Sequence, residues 1–220
     1  MVLKAVMTLD LKHLEREYEQ LMPRIRTVLT PEQIGQYCPV EAWLRDCIID
    51  LESPLKVALE IGCGNGKLLL SLVSDLVVDD GAGVDISPSM ASMATTAAVN
   101  ADLDIDFYAT SIEEYEASRY YDVIICTETL EHLMQPGNAV SKIRQWLTPE
   151  GLFCGSVPLN NVCDHYSHLH YYDTESLLNL LYPYFAECEL AIVDNTNEGE
   201  NHICFACRKP REEEHADNRA

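Results

Sequence analysis

Short apolar runs and longer amphipathic stretches alternate through the middle of the chain, and this alternation predicts most of its secondary structure. Apolar runs of strand length predict buried β-strands at Lys56–Ile61, Gly81–Ile86, Asp104–Tyr108, Tyr121–Thr127 and Gly151–Val157. Helical periodicity predicts helices at Gly66–Ser74, Pro88–Ala98, Ile112–Tyr115, Leu130–Met134, Gly137–Trp146 and Asp173–Leu181. Strands joined by helices lie parallel in one sheet, so we expect a doubly wound α/β fold.

The two ends of the chain follow other patterns. Residues 1–50 are mostly helical in pattern, with a capping-box sequence at Thr30–Gln33, and we expect them to form a helical lid. Phe185–Val193 and His202–Arg208 predict two strands without a helix between them, which requires an antiparallel pair. The sheet is then mostly parallel and seven-stranded, in a main domain over residues 51–209. We expect the charged residues 210–220 to be a disordered tail.

A glycine-rich segment follows the first predicted strand. In Glu60-Ile-Gly-Cys-Gly-Asn-Gly66, glycines occupy every second position between a buried strand and a helix, so bare backbone faces a ligand there. Lys67 stands where the dinucleotide-binding fingerprint has its third glycine, and the spacing of a P-loop is missing. This pattern favours a phosphate-free adenosine ligand.

An acidic residue ends the second predicted strand. Asp85 follows the glycines at the distance where a carboxylate accepts both ribose hydroxyls of a nucleoside. The alternative is that Asp85 caps the helix that begins at Ser87-Pro88. One side chain can perform both roles, and we favour the ribose contact.

Composition narrows the classes of function. The formal net charge is −21, and an acidic surface repels phosphate backbones, so a nucleic-acid partner is disfavoured. No apolar run has the length of a membrane span and the N-terminus lacks a signal-peptide pattern, so we expect no membrane association and a cytoplasmic location. The 9 cysteines are odd in number and lie mostly in apolar runs, which indicates reduced thiols. No pattern indicates an oligomeric state.

Three segments together resemble the class I S-adenosylmethionine-dependent methyltransferases. They are Leu59–Gly66, Gly83–Ser87 and Tyr121–Leu133, in this order and at these spacings. The resemblance covers residues from about Val40 to Arg208, and the ubiquinone-biosynthesis O-methyltransferases are the group it resembles most. It implies a Rossmann-like methyltransferase fold, S-adenosylmethionine as the cofactor, and a transferase activity.

The resemblance also implies which residues contact the cofactor. Gly62, Cys63 and Gly64 would line its methionine part, and Glu60 would reach its amino group. Thr127 and Glu128 would close the pocket beneath the sulfonium. The remaining implied contacts are the ribose acceptor Asp85, its neighbour Ile86, and Ser111 and Ile112 beside the adenine.

Acidic and histidine side chains follow the fourth predicted strand. If a helix starts there, Glu128, Glu131 and His132 share one face, where they could bind a divalent metal or place His132 as a general base. The same pattern resembles small-RNA terminal 2′-O-methyltransferases, in which such residues hold a metal. His168 and His170, from a loop after the fifth strand, could add a catalytic group or a ligand. A packing role for these histidines is the alternative.

The preferred function is O-methylation of a small-molecule acceptor. A hydroxyl acceptor must lose a proton, and the histidines or a metal near the cleft could assist this. The alternatives are an RNA 2′-O-methyltransferase with a metal at Glu128, Glu131 and His132, a protein methyltransferase, and a non-catalytic partner protein that binds the cofactor. The acidic net charge disfavours the first of these.

Overall fold

The computed structural model describes residues 28–160, 167–195 and 200–210. The strands are Val57–Ile61 (β1), Asp80–Asp85 (β2), Asp106–Ala109 (β3), Tyr121–Thr127 (β4), Leu147–Pro158 (β5), Phe185–Asn195 (β6) and Glu200–Pro210 (β7). The α-helices are Pro39–Ile49 (α1), Lys67–Ser74 (α2), Pro88–Asn100 (α3), Pro136–Trp146 (α4) and Thr174–Leu181 (α5). Single 3₁₀ turns lie at Pro31–Gln33 and Leu130–His132.

All strands belong to one 7-stranded sheet in the order β3-β2-β1-β4-β5-β7-β6. The pairs from β3 to β5 are parallel, whereas β7 runs antiparallel to both β5 and β6. The predicted doubly wound sheet with a C-terminal antiparallel pair is therefore confirmed. Between β1 and β4 the strand order reverses direction, and a crevice for ligands opens at such a point in doubly wound sheets.

Apolar side chains cover both faces of the sheet. Ile124 belongs to one core layer, while its neighbours Val123 and Ile125 belong to the other, and all three are fully buried. Successive residues of a strand point to opposite faces, so a strand with both faces covered needs an unbroken apolar run. This explains why the parallel strands read as continuous hydrophobic segments.

Several predicted helices are shorter than the pattern indicated. The segment around Ile112–Tyr115 forms a turn, and the helix predicted at Leu130–Met134 is a single 3₁₀ turn over Leu130–His132. The capping-box sequence at Thr30 likewise starts only the 3₁₀ turn Pro31–Gln33. Isolated runs of this length lose more backbone entropy than their few hydrogen bonds return.

The predicted lid and tail lie largely outside the described residues, which include neither 1–27 nor 211–220. Within residues 28–50, helix α1 packs against the outer strands β5, β6 and β7. Its Glu41 also forms an ion pair with Lys67, with Oε2 and Nζ 2.7 Å apart. Among the described residues, none from 28–50 belongs to the wall of the main cleft. Nowhere in the described ranges is a helix both long and apolar enough to cross a membrane.

Candidate active site

The main cleft lies at the carboxyl ends of β1, β2, β3 and β4 and has a volume of about 330 Å³. Its walls are formed by the glycine loop, the ends of these strands, and the turns that follow them. The lining residues are Ile61, Gly62, Gly64, Asn65, Val84, Asp85, Ile86, Ser87, Met90, Thr110, Ser111, Ile112, Glu113, Glu128, Thr129, His132, Leu133 and Met134. Predicted contacts that follow four separate strands therefore meet in one cavity.

The glycine loop needs its glycines for two different reasons. Gly62 has φ +69°, and a Cβ there would stand 2.1 Å from Oγ1 of Thr129, so this loop fits directly against the turn after β4. Gly64 has φ +52°, and a Cβ there would meet no atom within 4 Å. The backbone at Gly64 thus faces open space in the cleft, as a loop that cradles a ligand requires.

Asp85 connects the end of β2 to the glycine loop. Its Oδ2 accepts a hydrogen bond from the Gly64 amide at 2.7 Å, and its Oδ1 accepts one from the Ser87 amide at 2.9 Å. The helix cap itself comes from Ser87, whose Oγ accepts from the Met90 amide. The predicted ribose contact is compatible with this arrangement, because Asp85 lies on the cleft wall.

Glu60 is turned away from the cleft. Only 2 % of its surface is exposed, and its Oε2 accepts a hydrogen bond from the Leu69 amide at 3.2 Å. It thereby satisfies one of the amides that the first turn of α2 leaves without an intrahelical partner. Burial raises the pKa of Glu60 to about 8, the Leu69 hydrogen bond opposes this shift, and the negative charges of Glu41 and Asp85 add to it. The predicted contact with the cofactor amino group stays a prediction.

Cys63 and Thr127 are likewise not part of the cleft wall. The Cys63 side chain packs toward β2, because its Sγ would lie 2.9 Å from a Cβ at Gly83. Burial raises the pKa of the Cys63 thiol well above its usual range. The carbonyl of Thr127 accepts a hydrogen bond from Oγ1 of Thr129. Of the other predicted contacts, Ile86, Ser111 and Ile112 line the cleft.

Glu128 adopts a strained backbone conformation at the end of β4. Its φ is +46°, in the left-handed region that non-glycine residues seldom occupy. Its Oε1 accepts a hydrogen bond from Oγ of Ser156 at 2.7 Å, and its Oε2 lies 3.1 Å from Nε2 of His202. The carboxylate therefore lines the cleft while being bonded to β5 and β7.

A carboxylate and two imidazoles converge beside the cleft. The ligand atoms of Glu131, His132 and His168 all lie within 4.8 Å of one another. The predicted metal set was Glu128, Glu131 and His132, and this assignment stays a prediction. A 3₁₀ turn stands where a helix was predicted, Glu128 is hydrogen-bonded to Ser156 of β5, and His168 joins Glu131 and His132.

Glu131 is the unusual member of this group, which we call the Glu131–His132–His168 cluster. It is 1 % exposed, yet neither carboxylate oxygen has a hydrogen-bond partner among the described residues. Burial, and to a lesser degree the nearby charge of Glu128, raises the pKa of Glu131 well above its usual range. An unpaired buried carboxyl costs free energy unless a proton or a cation neutralises it.

Hydrogen bonds to the loop after β5 fix the histidine orientations. His132 Nδ1 lies 3.0 Å from the Ser167 carbonyl oxygen, which can only accept, so Nδ1 carries the hydrogen and Nε2 carries the lone pair. His132 Nε2 is 3.8 Å from Oε1 of Glu131. His170 Nε2 donates to the Leu133 carbonyl at 2.9 Å, so His170 anchors the loop. The rings of His132 and His168 are 4.7 Å apart.

Comparison with known proteins identifies the family. A family model described as a methyltransferase domain matches residues 14–202, which is most of the chain. The chain belongs to the class I S-adenosylmethionine-dependent methyltransferases. The predicted family and the predicted enzyme class are thus confirmed. The comparison does not test the assignments of single residues, which stay predictions.

The curated relatives of this methyltransferase include ubiquinone biosynthesis O-methyltransferases. The protein of that name from Rickettsia typhi is 33% identical over 94 residues, covering 43% of this chain and 37% of the relative. The one from Marinobacter nauticus is 31% identical over 113 residues, covering 48% and 45%. The matches therefore span less than half of the length of these relatives.

Solved structures share the methyltransferase fold at low identity. The N-methyltransferase NodS from Bradyrhizobium japonicum, in complex with S-adenosyl-L-homocysteine, has a TM-score of 0.69 at 18% identity, covering 90% of this chain and 99% of NodS. The [4+2]-cyclase SpnF has a TM-score of 0.69 at 16% identity, covering 92% and 97%. One fold thus carries two reaction types, so the site must decide the chemistry.

Sequence reasoning missed part of the methyltransferase cleft. The cleft residues that were not predicted are Ile61, Asn65, Val84, Ser87, Met90, Thr110, Glu113, Thr129, Leu133 and Met134. Most of them adjoin a predicted residue, so the run around each motif was an available signal. His202 was also missed, because nothing in the pattern of β7 indicates that it meets Glu128.

Proposed function

We propose that this protein transfers the methyl group of S-adenosylmethionine to a hydroxyl group of a small molecule. One observation carries the proposal. A single cleft combines a glycine loop and a ribose-type acid, Asp85, with the polar groups Glu128 and His132. The glycine loop and Asp85 suit the cofactor, the Glu128 carboxylate suits its positive charge, and His132 suits an acceptor that must lose a proton. The names of the curated relatives support oxygen as the acceptor atom.

The cleft fits the cofactor in shape and charge. Open space at Gly64 leaves room against the bare backbone, and Asp85 places a carboxylate, an acceptor suited to ribose hydroxyls, on the cleft wall. Met90 and Ile112 provide apolar contact for a flat ring. When bound, S-adenosylmethionine supplies an activated methyl group on a sulfonium. The acidic wall at Glu128 favours a ligand that carries positive charge.

His132 is the residue that we propose to handle the acceptor proton. It lines the cleft, and the hydrogen bond of Nδ1 to Ser167 leaves the Nε2 lone pair to act as a base. The proton of the acceptor hydroxyl would pass to Nε2 as the oxygen forms its bond to the methyl carbon. Holding the reactants in line provides much of the acceleration of such a displacement.

A divalent metal at the Glu131–His132–His168 cluster is a second proposal for the same wall. The buried Glu131 carboxylate without a partner fits a cation, and two imidazoles with one carboxylate are a ligand set of transition metals. A metal held there would lower the pKa of an acceptor hydroxyl. The same cluster supports RNA 2′-O-methylation as a second candidate function, which the net charge of −21 opposes.

A methyl-transfer assay tests the proposed function. Purified protein would be incubated with S-adenosylmethionine labelled in its methyl group and with a panel of phenols, catechols and aliphatic alcohols. Matched amines and a short RNA with a 3′-terminal ribose would serve as comparison acceptors. We expect label on a hydroxyl compound, and at least about a 100-fold lower rate for His132→Ala if His132 is the base. Label only on the amines would refute the hydroxyl assignment, and label only on the RNA would favour the second candidate.

Binding of a metal can be measured separately from methyl transfer. Co²⁺ would be added to metal-free protein, because its visible absorption reports the ligands that bind it. We expect a spectrum that is lost in Glu131→Gln and in His168→Ala but is kept in His170→Ala, since His170 binds a backbone carbonyl instead. No spectrum in the wild type would refute the metal proposal and leave His132 as the base.

A further inference from the structure

His202 occupies an unexpected position for a buried histidine. It lies on β7, in register with Pro158 of β5 on one side and with Val193 of β6 on the other. Its side chain is 6% exposed, and its Nε2 lies 3.1 Å from Oε2 of Glu128. The strands paired with β7 on both sides fix the backbone that carries this ring. It meets a carboxylate that belongs to the cleft wall.

Glu128 is held by more than this one contact. Ser156 donates from its Oγ to Oε1 at 2.7 Å, and the Glu128 amide donates to the Ser156 carbonyl oxygen at 2.9 Å. These bonds hold a residue whose φ of +46° lies in the strained left-handed region. A strained backbone conformation persists only where neighbouring contacts hold it in place. Here those contacts come from Ser156 of β5 and His202 of β7.

Glu128 lies at the end of the cleft that we assign to S-adenosylmethionine, the methyl donor. Its neighbour Thr129 packs on Gly62, so Glu128 stands beside the glycine loop. Its side chain is 40% exposed, in contrast to the buried Glu131. A carboxylate fixed there would face S-adenosylmethionine, which is cationic at sulfur, or S-adenosylhomocysteine, which is neutral there. Its charge would then favour the donor over the product.

We propose that His202 is a positioning residue that, together with Ser156, fixes the Glu128 carboxylate so that the cleft distinguishes the cationic methyl donor from the neutral product. The inference rests on the proposed function, because it needs the cofactor in this cleft. His202 itself contacts neither the cofactor nor the acceptor. It acts by donating from Nε2 to a carboxylate that does.

The measurement is the ratio of two dissociation constants, that of S-adenosylhomocysteine divided by that of S-adenosylmethionine, from calorimetry. In Glu128→Gln we expect the ratio to fall about 10-fold from the wild-type value, which corresponds to about 1.4 kcal/mol. In His202→Phe, which keeps a ring but has no donor, we expect a fall of about threefold or more. In His202→Gln, whose amide can still donate, we expect a ratio within about twofold of the wild type.

Ser156→Ala provides a variant with little effect on packing, and we expect its ratio to fall as well. Melting curves show whether the His202 variants are folded. If they are not, the ratio of dissociation constants measured for Ser156→Ala tests the inference instead. Binding of both ligands with an unchanged ratio in Ser156→Ala and Glu128→Gln would overturn the inference alone. Equal losses in His202→Phe and His202→Gln would overturn the role of the hydrogen bond. Wild-type protein that binds neither ligand would overturn the proposed function and this inference with it.

Discussion

Glu60 provides a quantitative prediction, because its buried carboxyl has a raised pKa of about 8 against an ordinary value of 4.5. Between these values the folded protein binds the proton and the unfolded chain does not. The free energy of unfolding therefore falls as the pH rises through this window, by about 1.4 kcal/mol per pH unit. At pH 7 the loss is about 3 kcal/mol, and above pH 8 it is complete.

The perturbation is Glu60→Gln. The amide oxygen can still accept from the Leu69 amide, whereas the charge is removed. We expect the variant to be more stable than the wild type by up to about 3 kcal/mol at pH 7, and by less than about 1 kcal/mol at pH 5. For a chain of this size, the difference at pH 7 raises the melting temperature by about 6–12 °C.

The assay is thermal unfolding of both proteins, followed by circular dichroism from pH 5 to pH 8.5. Glu150→Gln is the control, because Glu150 is exposed and its removal should leave the pH dependence unchanged. Parallel stability profiles of wild type and Glu60→Gln would refute the reasoning. In that case the Glu60 carboxyl would be solvated or paired, although only 2 % of its surface is exposed.

Three further substitutions test the cleft. Asp85→Ala should weaken the binding of S-adenosylhomocysteine about 10-fold or more, since charge-assisted bonds to both ribose hydroxyls are lost; unchanged affinity in calorimetry would remove the ribose assignment. Gly62→Ala should destabilise the fold by about 1–3 kcal/mol, and Thr129→Ala should restore part of this loss in a double-mutant cycle, because the added Cβ meets Oγ1 of Thr129. Additive effects would contradict that contact. Glu131→Gln should stabilise the metal-free protein at pH 7 by about 1–3 kcal/mol in urea, because the unfolded chain then no longer gains an ionisation that burial opposes in the folded protein; a loss of stability would show that Glu131 has a partner.

The part of the site that could be predicted depends on local sequence and on strand direction. The carboxyl ends of parallel strands meet at one edge of a sheet, so Gly62, Gly64, Asp85 and Ser111 were expected together, and all four line the cleft. The order of strands and helices could be predicted from the apolar and amphipathic runs along the chain. Positions within a motif thus transfer well from sequence to structure.

The remaining parts depend on contacts that local patterns do not specify. The Glu60 side chain is buried and its carboxylate accepts a hydrogen bond from the first turn of α2, although the resemblance implied a contact with the cofactor. His168 lies with Glu131 and His132 although it comes from the loop after β5, and the turn that carries the latter two is 3₁₀ rather than the predicted helix. His202 reaches Glu128 only through the antiparallel pairing of β7, which involves residues distant in the chain. Such pairings are set by the whole sheet.

The most direct test of the account is a calorimetric titration of the purified protein with S-adenosylhomocysteine at pH 7. We expect one molecule to bind per chain, with micromolar affinity or better, and Asp85→Ala to weaken the binding about 10-fold or more. Absence of binding, or binding that Asp85→Ala leaves unchanged, would contradict the claim that this cleft is the cofactor site.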